Sequence, residues 1–140
     1  MELQFKRLSP GAVLPKYAHD SDSGMDVYAI ASVTLPPYTF VKMPLNLACN
    51  IPTGYELQVR PRSGLAAKQG VVCSFGTVDM GYRGDIGVTL FNHSSTCVRI
   101  EKGDRVAQLV LAPVVRATIV ETDTLDSTDR GDAGFGSTGK

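Results

Sequence analysis

Short stretches in which apolar and polar residues alternate, separated by glycine and proline clusters, constrain the fold of this chain most strongly. In YELQVR (55–60) the first, third and fifth residues are apolar, and IGVTLFN (86–92) and TCVRI (96–100) repeat the pattern. Such a period of two is that of a β-strand with one buried face. The clusters LPPY, IPTG, YRGD and EKGD break the chain at short intervals. Many short strands with such turns predict an all-β fold, a distorted jelly roll or β-barrel.

Three segments depart from this alternation. RVAQLVLAP (105–113) is apolar on both faces apart from Gln108, which predicts a central strand of a packed sheet. SGLAAKQ (63–69) suits one short helix, with Ser63 as its N-cap and Gly70 at its C-terminal end. After residue 122 the apolar pattern stops. We therefore predict a β core of residues 1–122 and a mobile, glycine-rich C-terminal arm of residues 123–140.

Composition argues against several classes of function. Lysine plus arginine number 14, as do aspartate plus glutamate, so no basic field favours non-specific nucleic-acid binding. No apolar run approaches the roughly 20 residues that span a bilayer, and the N-terminal stretch lacks the apolar core of a signal peptide. Three widely spaced cysteines, Cys49, Cys73 and Cys97, predict free thiols in a reducing compartment. We expect a cytoplasmic protein, or a nuclear one in a eukaryote, that is not secreted and has no nucleic-acid or membrane partner.

Two internal stretches suit an anion and a general base. RPRSGLAAK (60–68) places arginines and Ser63 at the start of the predicted helix, whose free N–H groups favour an anion. Solvated arginines and a plain serine cap explain it equally well. GTVDMGYRGD (76–85) places Asp79 after a β-pair and Tyr82 in the next turn, as a base beside an aromatic platform would be. On the residues alone, a hairpin whose turn Asp79 stabilises is favoured over that hypothesis.

Two further positions suit a metal or a ligand. In DSDSGMDVYA (20–29), Asp26 enters a strand after a cluster of acids, an arrangement that suits Mg²⁺, although a polar loop is the favoured alternative. Gln108 lies within an apolar strand. Because an unpaired buried amide is costly, we expect backbone groups or a ligand to satisfy it, backbone being the usual partner.

The last seven residues, GFGSTGK (134–140), follow the G-x-x-x-x-G-K pattern of a phosphate-binding P-loop. A P-loop comes after a buried strand, whereas the preceding TLDSTDRGDAG is too polar and broken to form one. The tail therefore suits phosphate binding through glycine N–H groups and hydroxyls without the rest of the P-loop fold.

In chain order these stretches resemble the five sequence motifs of the trimeric deoxyuridine triphosphatases, the dUTPases: SGMDVYA, RPRSGLAAK, GTVDMGYRGD, GDRVAQLVLAPV and RGDAGFGSTGK. The resemblance runs from about Asp20 to the last residue. It implies a jelly-roll domain that forms a homotrimer with active sites at subunit boundaries. It also implies Mg²⁺-assisted hydrolysis of dUTP to dUMP and pyrophosphate, which keeps uracil out of DNA and supplies dUMP for thymidylate synthesis.

The resemblance also assigns residue roles. Asp79 matches the general base for the water that attacks the α-phosphorus, and Tyr82 the ring under the deoxyribose that excludes a 2′-hydroxyl. Asp26 matches the carboxylate that holds Mg²⁺ through a water. Main-chain groups of a hairpin around Cys73 to Val78 would read the uracil, Phe135 would stack over it, and the tail would close over the phosphates. The implied substrate-binding residues are Arg62, Ser63, Gly64, Cys73, Gly76, Thr77, Val78, Tyr82, Gly87, Gln108, Arg130, Phe135, Gly136, Ser137 and Thr138.

Three other functions are alternatives to dUTP hydrolysis. A dCTP deaminase of the same fold needs an added general base near the third motif, where this chain has Tyr82 and Arg83. A non-catalytic dUTP sensor has no need of Asp79. A structural jelly roll leaves the glycine-rich tail unexplained. One departure from the family pattern is Asp85, at a position where the family often has glutamate.

Overall fold

The structure is a computed structural model that describes residues 1–134. These residues form eleven β-strands and one short helix, which confirms the all-β prediction. The elements in chain order are β1 Gln4–Arg7, β2 Met25–Tyr28, β3 Val33–Leu35, β4 Phe40–Pro44, β5 Leu47–Asn50, β6 Tyr55–Arg60, α1 Ser63–Gln69, β7 Val71–Cys73, β8 Gly76–Val78, β9 Gly87–Asn92, β10 Val98–Ile100 and β11 Arg105–Pro113.

The strands pair antiparallel, as in a jelly roll. One sheet has the order β2-β11-β6-β8 and another the order β4-β9-β7, and β1-β5 and β10-β3 form two-stranded pairs. β11 lies between β2 and β6, as the apolar pattern of RVAQLVLAP predicts. Its Val106, Ala107 and Leu109 are completely buried. β8 ends its sheet, so within the described chain one edge of this strand faces no other strand.

The apolar positions of the alternating stretches form the core. Leu57 of β6, Val88 and Leu90 of β9 and Ile100 of β10 are all buried, while polar neighbours such as Arg60 point outward. Burial of side chains of this size stabilises the fold by about 1.5–3 kcal/mol each. A strand that carries a site residue on one face is therefore held in place by the buried side chains of its other face.

The helix begins one residue earlier than a serine cap requires. Arg62 is the N-cap, with extended backbone angles of φ −103° and ψ 124°, and no side chain caps the helix. The prediction that Ser63 caps it is wrong, because Ser63 already has helical geometry as the first residue of α1. Gly70 ends the helix as predicted: its φ of 66° is left-handed and its N–H donates to the carbonyl of Ala66 at 2.9 Å.

Regular structure in the described chain ends at Pro113. The Val114 N–H still donates to the Gly54 carbonyl at 2.8 Å, but every residue from 114 to 133 is exposed. The boundary after residue 122 and the role of the arm stay predictions. The prediction of a hairpin around Cys73 to Val78 is wrong in its pairing, since β7 pairs with β9 and β8 pairs with β6. This segment crosses from one sheet to the other.

Within residues 1–134 the one helix has seven residues, and no helix there is long and apolar enough to cross a membrane.

The three cysteines are unpaired, as predicted, and differ in exposure: Cys49 and Cys73 are buried and Cys97 is exposed. Burial raises the pKa of Cys49 and of Cys73 from 9.0 to about 11; Arg83 partly offsets the rise for Cys49. A folded-state pKa above the unfolded value gives stability that is complete below pH 9 and is lost as the pH rises through about 11.

We therefore expect one thiol per native chain to react quickly with a chromogenic disulfide at pH 8, and three after unfolding in guanidinium, because the thiolate is the reactive form. Replacement of Cys97 by serine should abolish the fast native reaction. Rapid native labelling of that variant would contradict the assignment of the two buried thiols.

Candidate active site

Six of the predicted site residues line one cavity, which we call the Asp79 pocket. It has a volume of ≈ 230 Å³. The predicted residues in it are Gly76, Thr77, Val78, Asp79, Tyr82 and Gly87, and Lys42, Val59, Asp85 and Ile86 complete its walls.

The crossing segment brings these residues to the edge of a sheet. The Ser74 N–H donates to the Thr89 carbonyl at 2.8 Å, which continues the pairing of β7 with β9. The chain then enters β8, where Gly76 pairs with Val59 of β6. Because β8 is an edge strand, its outer N–H and C=O groups face away from β6 and can serve a ligand. Cys73 itself is buried and does not line the pocket, although its chain neighbours lead into it.

Asp79 follows β8 directly and is exposed, at the start of a hydrogen-bonded turn. The Tyr82 N–H donates to the Asp79 carbonyl at 3.0 Å. The Tyr82 hydroxyl donates to the Asp85 carbonyl at 2.9 Å, so the ring lies over the turn. A Cβ at Gly84 would stand 2.4 Å from this hydroxyl oxygen, and any larger residue there would displace the ring. Asp79 also borders a second, wider cavity of ≈ 570 Å³, which leaves its carboxylate open to water.

Lys42 is a pocket residue that the sequence pattern did not identify. It lies on β4, where it pairs with Thr89 of β9, and its aliphatic chain passes over Gly87: a Cβ at that glycine would be 3.3 Å from the Lys42 Cε. Gly87 therefore makes room for lysine as well as lying near the ligand space. In the sequence, Lys42 alternates with Val41 and Met43 as any solvent-facing strand residue does, so no local signal sets it apart.

A separate cavity, which we call the Asp26 cleft, brings together three other predicted residues: Asp26, Arg62 and Gln108. Its volume is ≈ 290 Å³, and its remaining walls are Ala18, His19, Asp22, Ser23, Gly24 and Arg105. The Asp26 side chain is only 7% exposed.

Both oxygens of Asp26 face guanidinium groups. Arg62 Nε donates to Oδ1 at 2.9 Å and Arg105 Nη1 to Oδ2 at 3.3 Å. Arg62 also donates to the Arg105 carbonyl at 3.2 Å. A buried carboxylate needs such partners, and these also hold the two arginines in place. Asp22 in the same cleft balances the second guanidinium charge. Each guanidinium nevertheless has more N–H donors than Asp26 accepts, and such donors suit a phosphate.

Arg105 is a second residue that sequence reasoning missed. A β-bulge falls between Arg105 and Ala107 in the pairing of β11 with β2. Strict alternation would place residues 105 and 108 on opposite faces, but the extra residue of the bulge re-aims the strand, and both side chains line the cleft. The bulge is a property of pairing, so the sequence pattern gives no sign of it.

Gln108 opens into the cleft instead of being enclosed by backbone, the alternative that the sequence favoured. It is half-buried. Its Oε1 lies so close to Gly24 that a Cβ there would stand 2.5 Å away. Gly24 thus makes room for the amide, which lines the cleft.

The family resemblance implies Mg²⁺, for which Asp26 is the candidate ligand in the cleft. Within the described residues, no group of three or more His, Cys, Asp or Glu could hold a metal. Each Asp26 oxygen already accepts from an arginine, although a carboxylate keeps further lone pairs. Mg²⁺ commonly keeps several waters and binds through one or two carboxylates plus substrate phosphates. The residues fit an ion held in that way, with Asp26 touching it through water.

The remaining predicted residues lie outside both cavities. Ser63 and Gly64 are exposed at the start of α1, next to Arg62. Arg130 is exposed, and its Nε donates to the Ala133 carbonyl at 2.9 Å. Phe135, Gly136, Ser137 and Thr138 lie outside the described residues.

Comparisons with known proteins agree with this geometry. The dUTPase family model matches residues 11–139. A deoxyuridine 5′-triphosphate nucleotidohydrolase of Picosynechococcus sp. is 48% identical over 99% of both chains, and one of Nautilia profundicola is 45% identical over 100% of both.

Solved structures show the same fold. A mutant dUTPase of Staphylococcus bacteriophage 80alpha with dUpNHpp superposes with a TM-score of 0.93 at 29% identity, over 99% of both chains. A mutant dUTPase of phage phi11 of S. aureus, described with a structural Mg(II) ion, has a TM-score of 0.85 at 25% identity over 91% of this chain and 100% of that one. On its sequence and on its fold, this chain belongs to the dUTPase family, the deoxyuridine 5′-triphosphate nucleotidohydrolases.

Proposed function

We propose that this enzyme hydrolyses dUTP to dUMP and pyrophosphate with Asp79 as the general base. The observation that carries the proposal is the Asp79 pocket, where a water-accessible carboxylate stands beside the Tyr82 ring and the edge of β8. Asp79 orients and deprotonates the water that attacks the α-phosphorus. The proton moves to the carboxylate, the new P–O bond forms, and the bond to the pyrophosphate oxygen breaks.

The edge of β8 supports recognition of uracil by main-chain groups. Backbone N–H and C=O groups of Gly76 to Val78 that face away from β6 offer donors and acceptors at fixed positions. A base that presents the wrong pattern leaves these groups unpaired, which penalises it strongly. Tyr82 lines the same pocket, and its hydroxyl donates to the Asp85 carbonyl, which holds the ring in place. The ring therefore leaves no room for a 2′-hydroxyl.

The Asp26 cleft supports binding of the phosphates. Arg62 and Arg105 are fixed by Asp26, so their remaining N–H groups stabilise charge on the phosphates without reorganising. Ser63 and Gly64 follow Arg62 and add a hydroxyl and a free N–H. Mg²⁺, when bound, supplies positive charge that offsets the charge of the departing pyrophosphate. Asp26 would hold that ion through a water, and Gln108 would contact the phosphates.

The two cavities are far apart in one chain. Asp26 lies in the same row as Arg60 across β2, β11 and β6, and Asp79 follows Val78, which pairs with Leu57. Along the strands, Asp79 lies four positions from the row of Asp26 and Arg60, at ~3.4 Å per position. Across the sheet, the two residues are three strand spacings of ~4.8 Å apart. Together these separations place Asp26 about 20 Å from Asp79.

One triphosphate cannot contact both carboxylates across that distance. The α-phosphate that the water attacks is a direct neighbour of the phosphates that bind the metal, so both carboxylates have to lie near the same short chain of phosphates. The separation supports a site that two copies complete, one contributing the Asp79 pocket and the other the Asp26 cleft. In a homotrimer, repetition of this contact closes a ring of three equivalent sites. The arm of residues 123–140 closes over this site and excludes water. In it, Phe135 stacks over the uracil, and Arg130, Gly136, Ser137 and Thr138 close on the phosphates.

Pyrophosphate release from dUTP, dCTP, dTTP and UTP in the presence of Mg²⁺ tests the proposed function. We expect rapid release from dUTP and slow release from the other three. Ammonia release from dCTP would identify a deaminase instead, and tight dUTP binding without any release would identify a sensor.

Tyr82→Ala is expected to narrow the preference for dUTP over UTP by several-fold, because removal of the ring opens space for the 2′-hydroxyl. The measurement is kcat/KM for both nucleotides in the variant and in the parent enzyme. Tyr82→Phe is the matched control, since it keeps the ring and should keep the preference. If the parent hydrolyses UTP and dUTP equally, Tyr82 has no such role.

A further inference from the structure

Arg83 lies at the end of the catalytic turn and binds its backbone. Its Nη1 donates to the Met80 carbonyl at 2.7 Å and to the Tyr82 carbonyl at 2.8 Å, and its Nη2 donates to Asn50 Oδ1 at 2.8 Å. We propose that Arg83 and Asn50 are positioning residues that hold the Asp79–Tyr82 turn in its catalytic geometry, and we call the contacts of Arg83 with this turn and with Asn50 the clamp. This inference rests on the proposed function of Asp79.

Asn50 is itself anchored, which makes the contact a link to a rigid element. It ends β5 and pairs with Gln4 of β1, and its Nδ2 donates to Gln4 Oε1 at 3.1 Å. Asn50 therefore has its amide nitrogen turned to Gln4 and its amide oxygen turned to Arg83. The guanidinium joins the turn to the β1-β5 pair through Asn50, which lies 33 residues away in sequence.

The far end of the same loop has its own attachment. Asp85 Oδ1 accepts from the Leu47 N–H at 3.1 Å, and the Ile86 N–H donates to the Leu47 carbonyl at 2.8 Å. Residues 85 and 86 thus stay fixed to β5 without Arg83. The stretch from Asp79 to Tyr82 has one internal backbone hydrogen bond, between Tyr82 and Asp79. Loss of the Arg83 contacts therefore loosens the stretch from Asp79 to Tyr82 and leaves the rest of the fold intact.

Arg83 contacts the turn from the side away from the Asp79 pocket, within the same chain. It lines a separate cavity of ≈ 360 Å³ together with Gln4, Phe5, Lys6, Ala48, Cys49 and Asn50. It is not among the residues that line the Asp79 pocket. A role through the turn therefore fits its place better than a contact with substrate. Lysine cannot replace it, because one ammonium does not reproduce the planar fork that binds two carbonyls and an amide oxygen.

The test compares Asn50→Leu, which removes the acceptor at similar size, with Asn50→Asp, which keeps an acceptor for Arg83. Gln4→Met is the matched control, since it removes the other hydrogen bond of Asn50. We expect Asn50→Leu and Arg83→Lys each to lower kcat for dUTP about tenfold, with KM within twofold of the parent value. Asn50→Asp and Gln4→Met should keep at least half of the parent kcat. The double variant Asn50→Leu/Arg83→Lys should lose no more kcat than either of its single variants, because both remove the same contact.

A second measurement needs no substrate. Backbone amide exchange in a peptide covering residues 79–83 should speed up in Asn50→Leu by at least tenfold, while exchange in β9 stays at the parent rate. A raised KM with unchanged kcat would show that Arg83 contacts substrate in the assembly, and equal losses in Gln4→Met would show a general weakening of the β1-β5 pair. Either result, or unchanged exchange, overturns the clamp.

The clamp and the proposed function fail in different ways. If the parent enzyme does not release pyrophosphate from dUTP, or Asp79→Asn keeps its turnover, the proposed function is wrong. If both of those results are as expected and Asn50→Leu has parent kcat, the clamp alone is wrong.

Discussion

Asp79→Asn is expected to lower kcat for dUTP by at least about a hundredfold, the usual scale for a lost general base, while dUTP binding stays largely unchanged. Asparagine has the shape of aspartate but cannot accept the proton of the attacking water. Asp79 is exposed and its backbone carbonyl holds the turn through Tyr82, an interaction that the substitution keeps. Steady-state hydrolysis and equilibrium binding of a non-hydrolysable dUTP analogue, measured side by side, separate the two effects.

Asp85→Asn is a matched control for charge. It removes a carboxylate from the same pocket but retains an oxygen that accepts from the Leu47 N–H. We expect a loss below tenfold. Similar losses in both variants would mean that the pocket requires negative charge in general, and near-parent turnover in Asp79→Asn would make Asp79 a turn residue and the mechanism wrong.

A mixture of two inactive variants is expected to regain about a quarter of the activity of the intact enzyme. One variant carries Asp79→Asn with its tail intact, and the other lacks everything after Ser127. If the arm serves a neighbouring subunit, some sites in a mixed trimer combine an intact Asp79 with an intact neighbouring tail. A random equal mixture satisfies each requirement in about half of the sites, and both in about a quarter.

The described part of the arm supports this expectation. Residues 123–133 are exposed, and Leu125 among them is 89% exposed. Twelve residues from 123 to 134, when extended, reach up to about 40 Å, enough to cross to a neighbouring subunit. The measurement is dUTP hydrolysis after co-refolding, against each variant refolded alone. A mixture no more active than its parents would show that the tail serves its own subunit.

The all-β architecture, the short helix and nine of the residues that line the two cavities could be predicted from the sequence, six in the Asp79 pocket and three in the Asp26 cleft. Strand alternation reports burial directly, since Leu57, Val88 and Leu90 had to face the core. Gly70 was identifiable because a left-handed turn favours glycine at the end of a helix. The family motifs supplied Asp79, Tyr82, Asp26, Arg62 and Gln108 as candidates, and the structure groups them into two cavities.

Contacts between distant parts of the chain were decided only by the fold. Asp26 binds Arg62, 36 residues away, and Arg105, 79 residues away, and the bulge in β11 brings Arg105 to the side of Gln108. Strand pairing likewise places Lys42 over Gly87 and Asn50 beside Arg83. Alternation along one strand determines which face a residue takes, whereas its partner depends on register and pairing between strands. Those depend on how all the sheets pack, which no local stretch encodes.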